Sequence, residues 1–164
     1  MKTKPRTNGE TSGGDNTMTP QEDFLGKAYA AALAAHHPYP EIAACEAALE
    51  SGWGKSELAV KANNLFGRKV WRTGQDVLQL PTREFLHGQW VTVTADWLKF
   101  ATWADCFADR VHIITTDLRY SQAIQAKTAE EWITELSAVW STDPERAAKV
   151  LATYHAHRAV FAPA

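Results

Sequence analysis

Two cysteines, Cys45 and Cys106, are the only thiols in 164 residues, and they lack the paired spacing that holds zinc. A metal centre and a disulfide framework are therefore unsupported, although one bridge between the two stays open. No apolar run approaches the roughly 20 residues that span a bilayer, and the N-terminus lacks the apolar centre of a signal peptide. If the chain works outside the cytoplasm, something else carries it there or its leader is missing. Neither sign of charge dominates, since 17 Lys and Arg stand against 19 Asp and Glu for a net charge of -2. Nucleic acid is thus a poor partner, and no cofactor is expected.

What is present is an ordinary globular composition, 45% hydrophobic and 22% charged, in a length that fits one core and is expected to act as a monomer. Residues 1–18 are polar and glycine-rich, with little to bury, and read as a flexible tail. The domain proper spans 19–164. Seven Trp is a high count, and indoles serve either as core ballast or as platforms in a cleft.

Thr19-Pro20-Gln21-Glu22 has the form of a capping box and opens an alanine-rich helix from Pro20 to about His36. After His37-Pro38-Tyr39-Pro40, an almost wholly apolar helix is expected from Pro40 to Ser51. Glu46 and Glu50 share one face near its end, four residues apart. Gly52 and Gly54 close it, and Ser56 caps a short helix to Ala62. The pattern then turns β-like: Val77–Leu86 and Gln89–Thr94 are joined by His87-Gly88 as a hairpin. Helices resume from Thr102 to Thr115, from Thr128 to Trp140, and from Thr142 to Val160. The sum is an α+β domain, mainly helical, with a small β-lobe and a cleft between lobes.

Leu49-Glu50-Ser51-Gly52-Trp53-Gly54 is the most informative segment, because it sets a carboxylic acid at the end of an apolar helix beside a glycine-rich break. Ala47 to Ser56, with Asn64-Leu65-Phe66-Gly67-x-Lys69, resembles the catalytic core of glycoside hydrolase family 73, the bacterial endo-β-N-acetylglucosaminidases. Further resemblance follows in order: Thr82-x-Glu84-Phe85-x-His87-Gly88, Arg119-Tyr120-Ser121-x-Ala123 and Ser141-Thr142-Asp143-Pro144.

The resemblance implies a lysozyme-like fold that cuts peptidoglycan glycan strands after N-acetylglucosamine, in the cell wall, periplasm or extracellular space. It implies Glu50 as general acid and Glu84, on the hairpin, as the second catalytic group. Trp53, Asn64, Phe66, Tyr120 and Trp140 are the candidates to line the substrate cleft. Such cleavage needs a proton on a poor leaving oxygen, which a carboxyl supplies near neutral pH only if apolar surroundings keep it protonated. Leu49, Trp53 and Phe66 are the neighbours expected to provide them.

Asp76 and Asp96 are weaker alternatives to Glu84. Glu46 stands where the family usually has Gln, and is expected to be solvated or paired with a basic residue. Trp140 replaces a family Tyr, and Trp97-Leu98-Lys99-Phe100 departs from the usual Phe-Arg-x-Tyr. Asn64 more readily satisfies backbone than binds substrate, and Trp53 serves equally as platform or plug. An N-acetylmuramidase or lytic transglycosylase would share the fold and the Glu, and a glycan-binding or assembly module would keep the cleft without turnover. His36-His37 and His155-x-His157 lack the spacing of helical metal ligands.

Overall fold

The computed structural model describes residues 17–162, so nearly all of the expected tail, residues 1–16, lies outside the described residues. Helix α1, Pro20–Ala34, opens on the capping box: the Thr19 hydroxyl accepts from Glu22 N at 3.1 Å, and Glu22 Oε2 accepts from Thr19 N at 2.9 Å. Helix α2, Pro40–Ser51, lies at the centre with Ile42, Ala43, Ala44, Cys45, Ala47 and Ala48 all buried. Its alanines let α1 and the later helix α7, Arg146–Ala156, pack closely on either side.

Three consecutive residues, Gly52, Trp53 and Gly54, adopt left-handed φ values of 56°, 59° and 76°. They turn the chain out of α2 while Gly52 N and Trp53 N both donate to Ala48 O, closing the helix end. Inside this turn the Ser51 hydroxyl donates to Ala47 O and accepts from Gly54 N at 2.8 Å. The acid-bearing end of α2 is thereby fixed from both sides. Helix α3, Glu57–Ala62, follows with Ser56 as its cap.

Strands β1, Val77–Leu86, and β2, Gln89–Leu98, form an antiparallel hairpin whose turn residues His87 and Gly88 have φ of 51° and 80°. Strand β2 runs beyond the expected Thr94 to Leu98. Its extra residues pair with Val77–Leu80, while Val70 N donates to Asp96 O and Leu98 N donates to Arg68 O, so at the hairpin base β2 is bonded along both of its edges.

Helix α4, Trp103–Thr116, and a 3₁₀ turn at Leu118–Tyr120 lead into α5, Ser121–Ile124. Helix α6, Ala129–Trp140, precedes α7. The last helix opens at Arg146 rather than Thr142, because the side chains of Ser141 and Asp143 accept from Asp143 N and Glu145 N and hold an irregular loop. It also breaks at His157, whose N–H is shared between Thr153 O and Tyr154 O, before a short α8, Arg158–Phe161. No helix among the described residues is long and apolar enough to cross a membrane.

Candidate functional site

Glu50 lies where the buried face of α2 meets the surface, its side chain 27% exposed, while Glu46 one turn earlier is fully buried. Of the apolar neighbours expected around Glu50, Leu49 does not cover it. Leu49 turns to solvent, 43% exposed, whereas Phe66 is buried against the Arg110 guanidinium that pairs with Glu46. The direct partner of Glu50 is cationic: Arg146 Nε donates to Glu50 Oε1 at 3.0 Å.

The same guanidinium donates through Nη2 to Glu46 Oε1 at 2.9 Å and through Nη1 to Ser137 Oγ at 2.9 Å. Arg110 of α4 reaches the same Glu46 oxygen through Nη2. Two arginines and two glutamates therefore form one ladder, charge-balanced and buried except at its Glu50 end. Glu46 is thus paired, one of the two states expected of it. Burial lowers the Arg110 guanidinium from its ordinary value, with Glu46 pulling the other way. For Arg146, burial pulls down but Glu46 and Glu50 together outweigh it and raise it.

The aromatic candidates mostly support this ladder. The Arg110 guanidinium lies over Phe66 at 4.2 Å and over Trp140 at 4.0 Å from the ring centroids. Phe66 is only 3% exposed, so its ring serves the core. Asn64, 1% exposed, donates to Arg68 O and Leu98 O and accepts from Arg68 N. Both hydrogens of its amide are spent on the hairpin base. Trp53 is half-buried, wedged edge-on between Phe24 and His157 at 6.1 and 5.8 Å, the geometry of a plug. Tyr120 is 4% exposed, and burial pushes its hydroxyl above the ordinary value against the pull of Arg110.

Glu84 sits on β1 opposite Val91, on the half-buried face that also carries Thr82, Val93 and Trp97. Lys69 Nζ reaches its Oε1 at 3.1 Å and lies over the Trp97 ring at 5.4 Å. Asp96 lies on the opposite, exposed face, held by Gln79 Nε2 at 3.0 Å. Near the ladder, a hollow of about 550 Å³ is lined by Ser137, Ser141, Thr142, Asp143, Pro144 and Ala147 among others.

Cys45 and Cys106 are free and buried, so the bridge left open by the sequence is not formed. Burial pushes both thiols up to about 12. No cluster of three or more metal-ligating side chains occurs among the described residues.

The sequence reading missed Arg110, Arg146 and Ser137. The signal was there for the arginines: Arg110 falls in the buried series Cys106, Phe107, Arg110, Ile114, and Arg146 one turn before buried Val150. An arginine on the apolar face of a helix calls for buried carboxylates.

A family model described as mannosyl-glycoprotein endo-beta-N-acetylglucosaminidase, the Glucosaminidase family, matches residues 26–159. The exo-glucosaminidase LytG of Bacillus subtilis is 34% identical over 123 residues, 71% of this chain and 43% of that protein. The chain thus spans less than half the length of that curated relative. The catalytic domain of the autolysin Auto of Listeria monocytogenes superposes with a TM-score of 0.81 at 24% identity, over 92% of this chain and 91% of that one, a likeness of fold. A glycoside hydrolase domain of FlgJ from Salmonella typhimurium superposes with a TM-score of 0.69 at 28% identity, over 85% and 98%.

Proposed function

The chain belongs to the Glucosaminidase family, and on that premise we propose that it is a peptidoglycan hydrolase cutting the β-1,4 bond after N-acetylglucosamine, with Glu50 as general acid. One observation carries the assignment: at the end of an otherwise buried helix, Glu50 has Oε1 pinned by Arg146 while Oε2 has no hydrogen-bond partner among the described residues. A carboxyl held by one oxygen and open at the other is oriented for proton delivery to a glycosidic oxygen.

Glu84 is the second carboxylate of this reading, supported by its place on the inner face of the hairpin beside Lys69. The glycan strand runs between hairpin and helices, so the enzyme works in the cell wall, outside the cytoplasmic membrane. Trp140, Tyr120 and Phe66 act from behind the cleft, holding the charged ladder and the turn in place.

Digestion of purified peptidoglycan followed by mass spectrometry of the muropeptides tests this. Reducing-end N-acetylglucosamine, absent with Glu50→Gln, supports it. Reducing-end N-acetylmuramic acid would make the chain a muramidase, and an anhydromuramic end a lytic transglycosylase. No product from either protein favours a glycan-binding role.

A further inference from the structure

We infer that Arg146 is the positioning residue of Glu50, and that Glu46 sets how strongly the buried arginines act on that acid. This rests on the reading of Glu50 as general acid. Arg146 is 2% exposed and uses its three donor nitrogens on three different acceptors, Glu50, Glu46 and Ser137, contributed by α2 and α6. A planar guanidinium bonded at three corners has no remaining freedom to rotate, so the Glu50 oxygen on its Nε is fixed relative to two helices at once. Stability alone would not require the Nε contact. Glu46 and Ser137 already occupy Nη2 and Nη1, yet the side chain is aimed so that its third donor meets a carboxylate at the surface.

The charges explain the second half. Arg146 and Arg110 would together hold any neighbouring carboxylate in its ionised form, and an ionised Glu50 is no proton donor. Glu46 lies between them, bonded to both, and cancels one of the two charges. The titratable groups around the ladder are Glu46 and Glu50 of α2, Arg110 of α4 and Arg146 of α7, with the Tyr120 hydroxyl beside Arg110 and the buried His37 ring coupled to Glu46 and Arg110. With Glu46 present the set is neutral. Without it, the acid faces two positive charges in place of a net one.

Three variants test this, each checked for folding by near-ultraviolet circular dichroism. Arg146→Lys keeps the charge and loses the fork, and is expected to lower kcat by about 30-fold with KM within about twofold. Glu46→Gln keeps shape and the acceptor oxygen, and is expected to move the alkaline limb of the pH–rate profile down by about one unit. Ser137→Ala removes one uncharged acceptor of the guanidinium and leaves all four charges, and is expected to lower kcat by about threefold. Should a charged variant fail to fold, the remaining ones decide. Wild-type kcat and an unmoved alkaline limb in the folded variants would overturn the inference. Glu50→Gln run in parallel separates the two readings: if it retains full activity the acid assignment fails, whereas if it is inactive and the three variants behave as wild type, only the role of Arg146 and Glu46 fails.

Discussion

The Arg110 guanidinium lies 4.0 Å from the centroid of Trp140, and 4.2 Å from that of Phe66, two rings set at 82° to one another. Trp140 is therefore the lid over a buried cation, which accounts for an indole where the family usually has a phenol: the broader ring covers more of the guanidinium. Trp140→Ala should destabilise the fold by about 3 kcal/mol, from lost packing and lost cation–π attraction. Trp140→Tyr should cost about 1 kcal/mol, because a ring face remains. Urea unfolding of the two variants checks this, and equal losses would remove Arg110 from the explanation.

The hairpin offers two acids on opposite faces, so it makes its own control. Glu84 shares the inner face with Thr82 and Val91, whereas Asp96 faces outward against Gln79. Glu84→Gln should reduce kcat by about 100-fold, the scale of a charge acting at the reacting centre. Asp96→Asn should leave it within about twofold, since an exposed pair contributes little. Steady-state rates on a soluble glycan fragment distinguish these outcomes, and a reversed order would move the second carboxylate to Asp96.

The turn beside the acid tolerates little change at Gly54. With φ of 76°, a Cβ built there would lie 2.9 Å from Cδ2 and Cε2 of Phe24. Gly54→Ala should cost about 2 to 4 kcal/mol, combining left-handed strain with a clash against a buried ring. Gly52, which shares the left-handed conformation, has nothing within 4 Å of such a Cβ. Its alanine variant should cost only about 1 kcal/mol. Thermal unfolding of both would show whether the contact or the backbone sets the penalty.

The helices and the hairpin were legible because their signals are local. Thr19, Ser56, Thr102 and Thr128 cap where the sequence places them, and His87-Gly88 makes the expected turn. Glu50 was legible for the same reason, as one acid at one helix end. Its environment was not, since Arg146 is 96 residues away along the chain and Arg110 is 64 residues from Glu46. Only packing brings α4 and α7 against α2. The error over Leu49 has the same origin: sequence neighbours of an acid need not be its spatial neighbours, and on a helix the adjacent residue points roughly 100° away.

Burial of His37 makes the fold acid-sensitive before its carboxylates titrate. The ring is 5% exposed, edge-on to Trp132 at 5.4 Å, and its Nδ1 accepts from Tyr39 N at 3.0 Å. Burial lowers it from 6.5 to about 4, with Glu46 opposing and Arg110 reinforcing the shift. A histidine lowered in the folded state binds its proton in the unfolded chain first. The stability it supports is complete above pH 6.5 and is lost as pH falls from there toward about 4. The loss attributable to this one ring is ~3 kcal/mol, from the difference between those two values. His37→Asn keeps an acceptor for Tyr39 N and removes the titration. Urea unfolding between pH 7 and pH 4 should therefore give a shallower decline for the variant than for the wild type, whatever the variant's stability at neutral pH. Parallel declines would mean that another group drives the acid response.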